Sequence, residues 1–179
     1  MTYLVFDTET TGLLENSLLP LERQPHCIEL FMLKLDDAGN EIESWHSLFS
    51  VNFRLPEEII RITGIKDADL VGKPKFSDQI DNINYFVRDV DCVVAHNLKY
   101  DLNIMDIEYA RASRDKFSSG SFKRVCTVEQ TEYLNGYRLN LTSLHQTLFG
   151  SPFSGAHRAE EDVKALAKCF FELKKREMI

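Results

Sequence analysis

The apolar positions of this chain fall into two rhythms, continuous runs that read as buried strands and spaced stripes that read as helices. Tyr3-Leu4-Val5-Phe6 is β-branched and aromatic in character and predicts a buried opening strand. Leu14 to Pro25 is a loop carrying Pro20 and Pro25. His26–Leu35 and Glu41–Val51 predict two further strands, with Asp36-Asp37-Ala38-Gly39-Asn40 a turn by composition, so residues 26–51 read as an antiparallel hairpin. Pro56 suits the first turn of a short helix, with Glu57 and Glu58 near its positive end and Gly64 as its C-cap. Pro74 precedes a helix from about Phe76 to Arg88. Cys92-Val93-Val94-Ala95 is short and wholly apolar, as expected of a central parallel strand, and a helix over about Leu98–Ala112 follows. Ser113–Gly120 reads as a polar, mobile loop, Phe122–Val128 as a fifth strand, Leu141–Phe149 as a helix and 150–156 as a loop. Ala159, Val163, Leu166, Phe170 and Leu173 fall at helical spacing and form the core stripe of a long closing helix to about Glu177. Three antiparallel strands followed by alternating helices and strands predict an α/β domain around one mixed sheet.

Composition narrows the class. At 179 residues the chain reads as a single domain, 1–179, able to bury a sizeable core. It has no repeat, no low-complexity stretch and no apolar run of membrane-spanning length, and no signal peptide precedes the first strand; the expectation is a cytoplasmic protein without a membrane partner. Cys27, Cys92, Cys126 and Cys169 are scattered without metal-binding spacing and read as reduced core thiols. The net charge of −7 argues against a protein that coats long nucleic acid electrostatically. It leaves room for an enzyme that grips a few nucleotides through bound metal, because clustered acids lose their repulsion when a cation arrives.

Three acidic elements carry the candidate chemistry. Asp7 and Glu9 follow the opening strand and, with period-two alternation, leave it on the same side. Two carboxylates together at the end of an apolar strand repel each other, and hard oxygen ligands suit Mg²⁺ or Mn²⁺. On this segment alone the commoner reading is a strand that ends in water. Thr10-Thr11-Gly12 adds hydroxyls, amide donors and a backbone able to turn beside the acids. The second element, His96-Asn97-Leu98-Lys99-Tyr100-Asp101, sits at a strand-to-helix junction, where open α/β sheets bind ligands. Asn97 can cap the helix there, and Asp101 falls in its first turn, where a dipole-complementing surface acid would also be ordinary. Tyr100 offers a stacking face for a base. In the third element, His157 to Asp162, Asp162 lies beside the apolar stripe and is placed to face the sheet, and His157 stands just before the helix or in its first turn. Glu160 and Glu161 read as a solvated acidic first turn.

The order D-x-E, then H-N-x-x-Y-D, then H-x-x-x-x-D resembles the DEDDh branch of the DnaQ-like 3′→5′ exonucleases over essentially the whole chain. Ile62-Thr63-Gly64-Ile65 is similar to the I-T-G segment of Gram-positive proofreading domains and of the three-prime repair exonucleases. The resemblance implies a ribonuclease-H-like fold, with a five-stranded mixed sheet flanked by helices. It implies Asp7, Glu9, Asp101 and Asp162 as ligands of two Mg²⁺ or Mn²⁺ ions and His157 as general base. It implies that Leu13, Ile62 and Tyr100 wedge or stack against terminal nucleotides, with Thr10 and Asn97 also on the substrate side. One departure stands out: the bacterial proofreading subunit has His-Gly-Ile where this chain has Thr63-Gly64-Ile65, so that subunit's substrate preference does not transfer.

The implied chemistry suits the residue types. Two metals about 4 Å apart can activate water, neutralise the phosphate and hold the leaving oxygen. An imidazole, with an ordinary pKa of roughly 6.5, is mostly neutral at pH 7, as a base must be. The implied partner is the 3′ end of single-stranded or frayed DNA, with nucleoside 5′-monophosphates released singly and a polymerase as an associated protein. Three alternatives stay open: RNA as substrate, in the manner of oligoribonuclease; an idle binding module on the same fold; and an endonuclease of the ribonuclease-H type. No basic residue is assigned a role.

Overall fold

A computed structural model describes residues 1–132 and 136–179. Its centre is a five-stranded sheet of order β3-β2-β1-β4-β5, built from β1 (Tyr3–Thr10), β2 (Cys27–Leu35), β3 (Glu41–Leu48), β4 (Cys92–Ala95) and β5 (Lys123–Cys126). β1–β2 and β2–β3 pair antiparallel, while β1–β4 and β4–β5 pair parallel. The mixed sheet expected from the sequence is therefore present. Both parallel pairs involve β4, the wholly apolar CVVA segment, which is buried throughout.

Strand parity sorts side chains between two helical layers. Leu4 and Phe6 of β1, Leu30 and Met32 of β2, and Val93 and Ala95 of β4 face one cluster, shared with α3 (Phe76–Val87) and α4 (Leu98–Arg111). Tyr3, Val5, Phe31, Leu33 and Val94 face the other, shared with Ala159, Val163, Leu166 and Phe170 of α7 (Ala159–Lys175). Burying an aliphatic or aromatic side chain of this kind is worth about 1.5–3 kcal/mol, so β1, β2 and β4 are each held by both layers. α6 (Leu141–Phe149) packs on α7 through Leu144, Leu148, Cys169 and Leu173. The shorter helices are α1 (Glu57–Thr63), α2 (Asp67–Leu70) and α5 (Thr127–Gln130). Gly64 ends α1 in the left-handed region at φ +73°, as its C-cap role requires. All four cysteines are free and buried. Among the described residues no helix is long and apolar enough to cross a membrane.

Some expected elements differ. β3 stops at Leu48 and β5 spans only Lys123–Cys126, because the chain turns at Thr127 into α5. The segment expected to be a mobile loop, 113–120, is anchored instead. Phe117 is buried against Phe6, Tyr109 and Phe122, and the backbone N–H and hydroxyl of Ser118 donate to Asp106 at 2.8 and 2.6 Å. One aromatic in a polar stretch is enough to order it. Asn97 stands at the N-cap position of α4, but its backbone is left-handed at φ +81° and its side chain makes no cap bond. An N-cap side chain reaches the helix from an extended backbone, which Asn97 does not have.

Candidate active site

The odd residues of β1 face α7 and the even ones face α4, and this parity assembles the site. Asp7 and Glu9 leave β1 on the α7 side, where Asp162 in the first turn of α7 meets them. One carboxylate oxygen from each of the three lies within 4.8 Å of the others. Thr8 points the opposite way and meets Asp101, in the first turn of α4. Asp101 Oδ1 accepts from the Thr8 N–H at 3.2 Å and from the Thr8 hydroxyl at 2.7 Å. Asp101 is only 2 % exposed, so it is no surface acid. A cavity of about 330 Å³ joins these groups, lined among others by Asp7, Glu9, Tyr100, Asp101, His157 and Asp162.

The electrostatics are those of carboxylates crowded together. Desolvation and then the charges of Asp101, Glu9, Asp162 and Glu29 raise the Asp7 carboxyl well above its usual range. Burial, with Asp162, Glu29 and Asp101 adding to it, pushes Glu9 up to about 8, and the Arg158 charge opposes the shift only in part. Burial raises Asp101 to about 7 against the pull of its Thr8 hydrogen bonds, and raises Asp162 to about 6 against the hydrogen bond from His157. An all-oxygen donor set that repels itself fits a hard divalent cation.

His157 lines the same cavity, with its backbone left-handed at φ +69°. Its N–H donates to Asp162 Oδ2 at 2.8 Å, which links the histidine to the carboxylate five residues on. Tyr100 lines the cavity with its ring against the core, and its hydroxyl donates to the Gly12 carbonyl at 2.8 Å and lies 2.6 Å from the Thr10 hydroxyl. Thr10 is buried and supports the Gly12 turn, its hydroxyl 2.9 Å from the Gly12 carbonyl. Leu13 and Ile62 are exposed, 84 % and 42 %, and neither lines the cavity; Asn97 is exposed beside it.

Several residues of the site receive no role from the motifs. Thr8 sits between the two acids and holds the third. His96 is half-buried at the end of β4, Nε2 donating to the Leu139 carbonyl at 3.0 Å and Nδ1 lying 2.9 Å from Thr127 Oγ1; loss of hydration lowers it to about 4, so it stays neutral. Asn140, Leu141 and Thr142, at the start of α6, also line the cavity. Glu29 stands opposite Glu9 in the β1–β2 register and is fully buried. Its signal in the sequence was a lone carboxylate inside the apolar run of β2.

Known proteins share both the sequence pattern and the fold. The sequence model of the RNase T exonuclease family matches residues 4–170. The PolC-type DNA polymerase III of Staphylococcus aureus is 29 % identical over 173 residues, 96 % of this chain but 11 % of the polymerase. Escherichia coli exonuclease I in complex with a dT13 oligonucleotide superposes with a TM-score of 0.78 at 19 % identity, covering 98 % of this chain and 41 % of that one. Exonuclease I of Methylocaldum szegediense gives the same TM-score, identity and coverage. The chain thus spans about a tenth of the polymerases and two fifths of the exonucleases that it matches. With the family pattern running from β1 into α7, the chain belongs to the RNase T exonuclease family, the DnaQ-like 3′→5′ exonucleases.

Proposed function

We propose that residues 1–179 form one exonuclease domain that removes nucleoside 5′-monophosphates from the 3′ ends of single-stranded or frayed DNA, using two Mg²⁺ or Mn²⁺ ions and His157 as general base. The observation that carries this reading is the meeting of Asp7, Glu9 and Asp162 within 4.8 Å in a cavity that His157 and Asp101 also line. Asp7, which feels the charges of Glu9, Asp162 and Asp101 alike, would serve both ions; Glu9 and Asp162 would complete the nucleophile side, and Asp101 would support the leaving-group side. The metals supply charge neutralisation on the phosphate and a more acidic water. His157 takes the proton of the attacking water, and its N–H bond to Asp162 keeps it at the site. Tyr100 and Thr10 hold the Gly12 turn next to Leu13; Leu13, Ile62 and Tyr100 would wedge or stack against the terminal nucleotides, with Thr10 and Asn97 also on the substrate side. DNA is favoured over RNA by the company the chain keeps: one relative is a DNA polymerase, and exonuclease I has been solved with DNA oligonucleotides. The polymerase relative also supports association with a replicative polymerase.

The test is to offer 5′-labelled single-stranded DNA, duplex DNA, circular single-stranded DNA and RNA with Mg²⁺ or Mn²⁺. The expected result is a ladder shortening from the 3′ end, fastest on linear single-stranded DNA and abolished reversibly by chelator. Cleavage of the circle would overturn the exonuclease reading, and faster shortening of RNA would overturn the choice of DNA.

A further inference from the structure

Glu29 is a carboxylate where folding alone would favour an apolar residue. It is the third residue of β2, is 0 % exposed, and stands directly across from Glu9. Its Oε1 accepts from Arg158 Nη2 at 2.9 Å and lies 2.9 Å from His46 Nε2. Its Oε2 accepts from Arg158 Nε at 3.2 Å and from the Ala159 N–H at 3.3 Å. The guanidinium thus meets the carboxylate through two parallel bonds, the geometry that fixes orientation best. Replacing a buried carboxylate and its partner by packed apolar side chains is often neutral or stabilising, so stability does not account for Glu29.

Its position in the chain does. Arg158 is the residue after His157 and the N-cap of α7. The Arg158 carbonyl accepts the Asp162 N–H at 2.9 Å, and the His157 N–H donates to Asp162 Oδ2 at 2.8 Å. His157 and Gly155 both adopt left-handed backbones, at φ +69° and +82°, so the approach to the helix is bent sharply and needs a fixed end. That end is the Arg158–Glu29 pair. We propose that Glu29, acting through Arg158, is a positioning residue that fixes the start of α7 against β2 and so sets the places of Asp162 and His157 in the cavity. What is positioned rests on the exonuclease reading; how it is positioned rests on the hydrogen bonds alone.

Glu29→Gln keeps the shape and removes the charge. Arg158→Gln removes the other partner at a side chain that is 48 % exposed, and so tests the same link should Glu29→Gln fail to fold. In metal-free protein, amide exchange at His157 should quicken by about tenfold or more in both variants. Mn²⁺ affinity by calorimetry should weaken by about ten- to a hundredfold, the range typical of residues that orient metal ligands. At saturating Mn²⁺, kcat on a short single-stranded DNA should fall about tenfold or more, with KM nearly unchanged. The double variant should be no worse than the poorer single, and Lys164→Gln, which removes an ion pair with Glu160 on the same helix, should change none of these. A lowered melting temperature with exchange, Mn²⁺ affinity and kcat all at wild-type values would leave Glu29 a structural residue and overturn the proposal. If the wild type cleaves no nucleic acid, the exonuclease reading fails, while the exchange at His157 still decides whether Glu29 fixes the loop.

Discussion

Asp7→Asn should make the metal-free protein more stable and the enzyme inactive. The substitution keeps the side-chain shape and removes one charge from the middle of the cluster. Glu9 moves from 4.5 to about 8 on folding, raised by burial, then Asp162, Glu29 and Asp101. A group with a raised folded pKa binds more protons in the folded state, so its stabilising contribution is complete below the unfolded pKa and is lost as pH rises through the folded one. His96, lowered by burial to about 4, works in the opposite sense but only below about pH 6.5, where an unfolded imidazole takes up its proton. Glu29 is pulled up by burial, but its bonds to His46 and Arg158 prevail and hold it at about 2, so its contribution is lost only in acid. Between pH 6.5 and 8.5 neither group opposes the raised acids, and Asp101, raised to about 7, adds to the loss from Glu9. At 1.36 kcal/mol per pKa unit, Glu9 alone costs about 2 kcal/mol across that window.

Thermal melts in chelator at pH 6.5 and 8.5 measure this directly. The wild type should lose about 2–3 kcal/mol on going to pH 8.5, roughly 4–10 °C for a chain of this size. Asp7→Asn should lose less than the wild type and melt above it at pH 8.5, since the strongly raised Asp7 carboxyl no longer has to ionise while the loss from Glu9 remains. Mn²⁺ should raise the melting temperature of the wild type and have little effect on the variant. Groups common to both proteins cancel in the comparison. Parallel pH slopes in the two proteins would refute the electrostatic account, and retained turnover by Asp7→Asn would refute the metal assignment.

His157→Asn should lower kcat by about 10²–10⁴-fold with Mn²⁺ binding kept, because asparagine tolerates the left-handed backbone and retains the N–H bond to Asp162; activity within a few-fold of wild type in steady-state assays would remove His157 as the base. Tyr100→Phe deletes the hydroxyl that meets Thr10 and Gly12 and should cost about 1 kcal/mol in chemical denaturation, with a higher KM for single-stranded DNA. Leu13→Ala and Ile62→Ala should leave the melting temperature within a degree or two while raising KM, since both side chains are exposed and any role they have is with substrate; an unchanged KM in both would leave them as ordinary surface residues.

What the sequence disclosed followed from periodicity. The period of two in β1 put Asp7 and Glu9 on one face, and the helical stripe from Ala159 to Leu173 placed Asp162 toward them; both features are local, and the structure keeps them. The pairing of residues far apart in the chain left weaker traces. Thr8 and Asp101 meet across 93 positions, and Glu29 and Arg158 across 129. In each case the sequence showed only a polar residue on a face that the strand pattern would have left apolar. Phe117 was obscured for the converse reason, a single aromatic in a stretch otherwise polar, and the short α5 lay hidden because Thr127 and Val128 suit a strand as well as a helix turn. Asn97 shows the limit of residue type as a guide: it stands at the cap position, yet a left-handed backbone keeps its side chain from capping.

Glu9 and Glu29 then show how one sheet face can hold two opposite electrostatic outcomes. They are cross-strand partners, Glu29 fully buried and Glu9 half-buried, and differ chiefly in what stands beside them. The Arg158 guanidinium bonds to Glu29 in two places and reaches Glu9 only through space, so Glu29 stays ionised while Glu9 is driven up to about 8. Had the same guanidinium paired with Glu9, it would have neutralised the site and occupied the oxygens a metal needs. Committing it to Glu29 leaves Asp7, Glu9 and Asp162 mutually repelling, which lowers the stability of the empty site and raises the gain when a divalent cation relieves that repulsion. The ion pair that anchors α7 thus also preserves the charge imbalance at the three acids, and both effects favour metal at the end of β1.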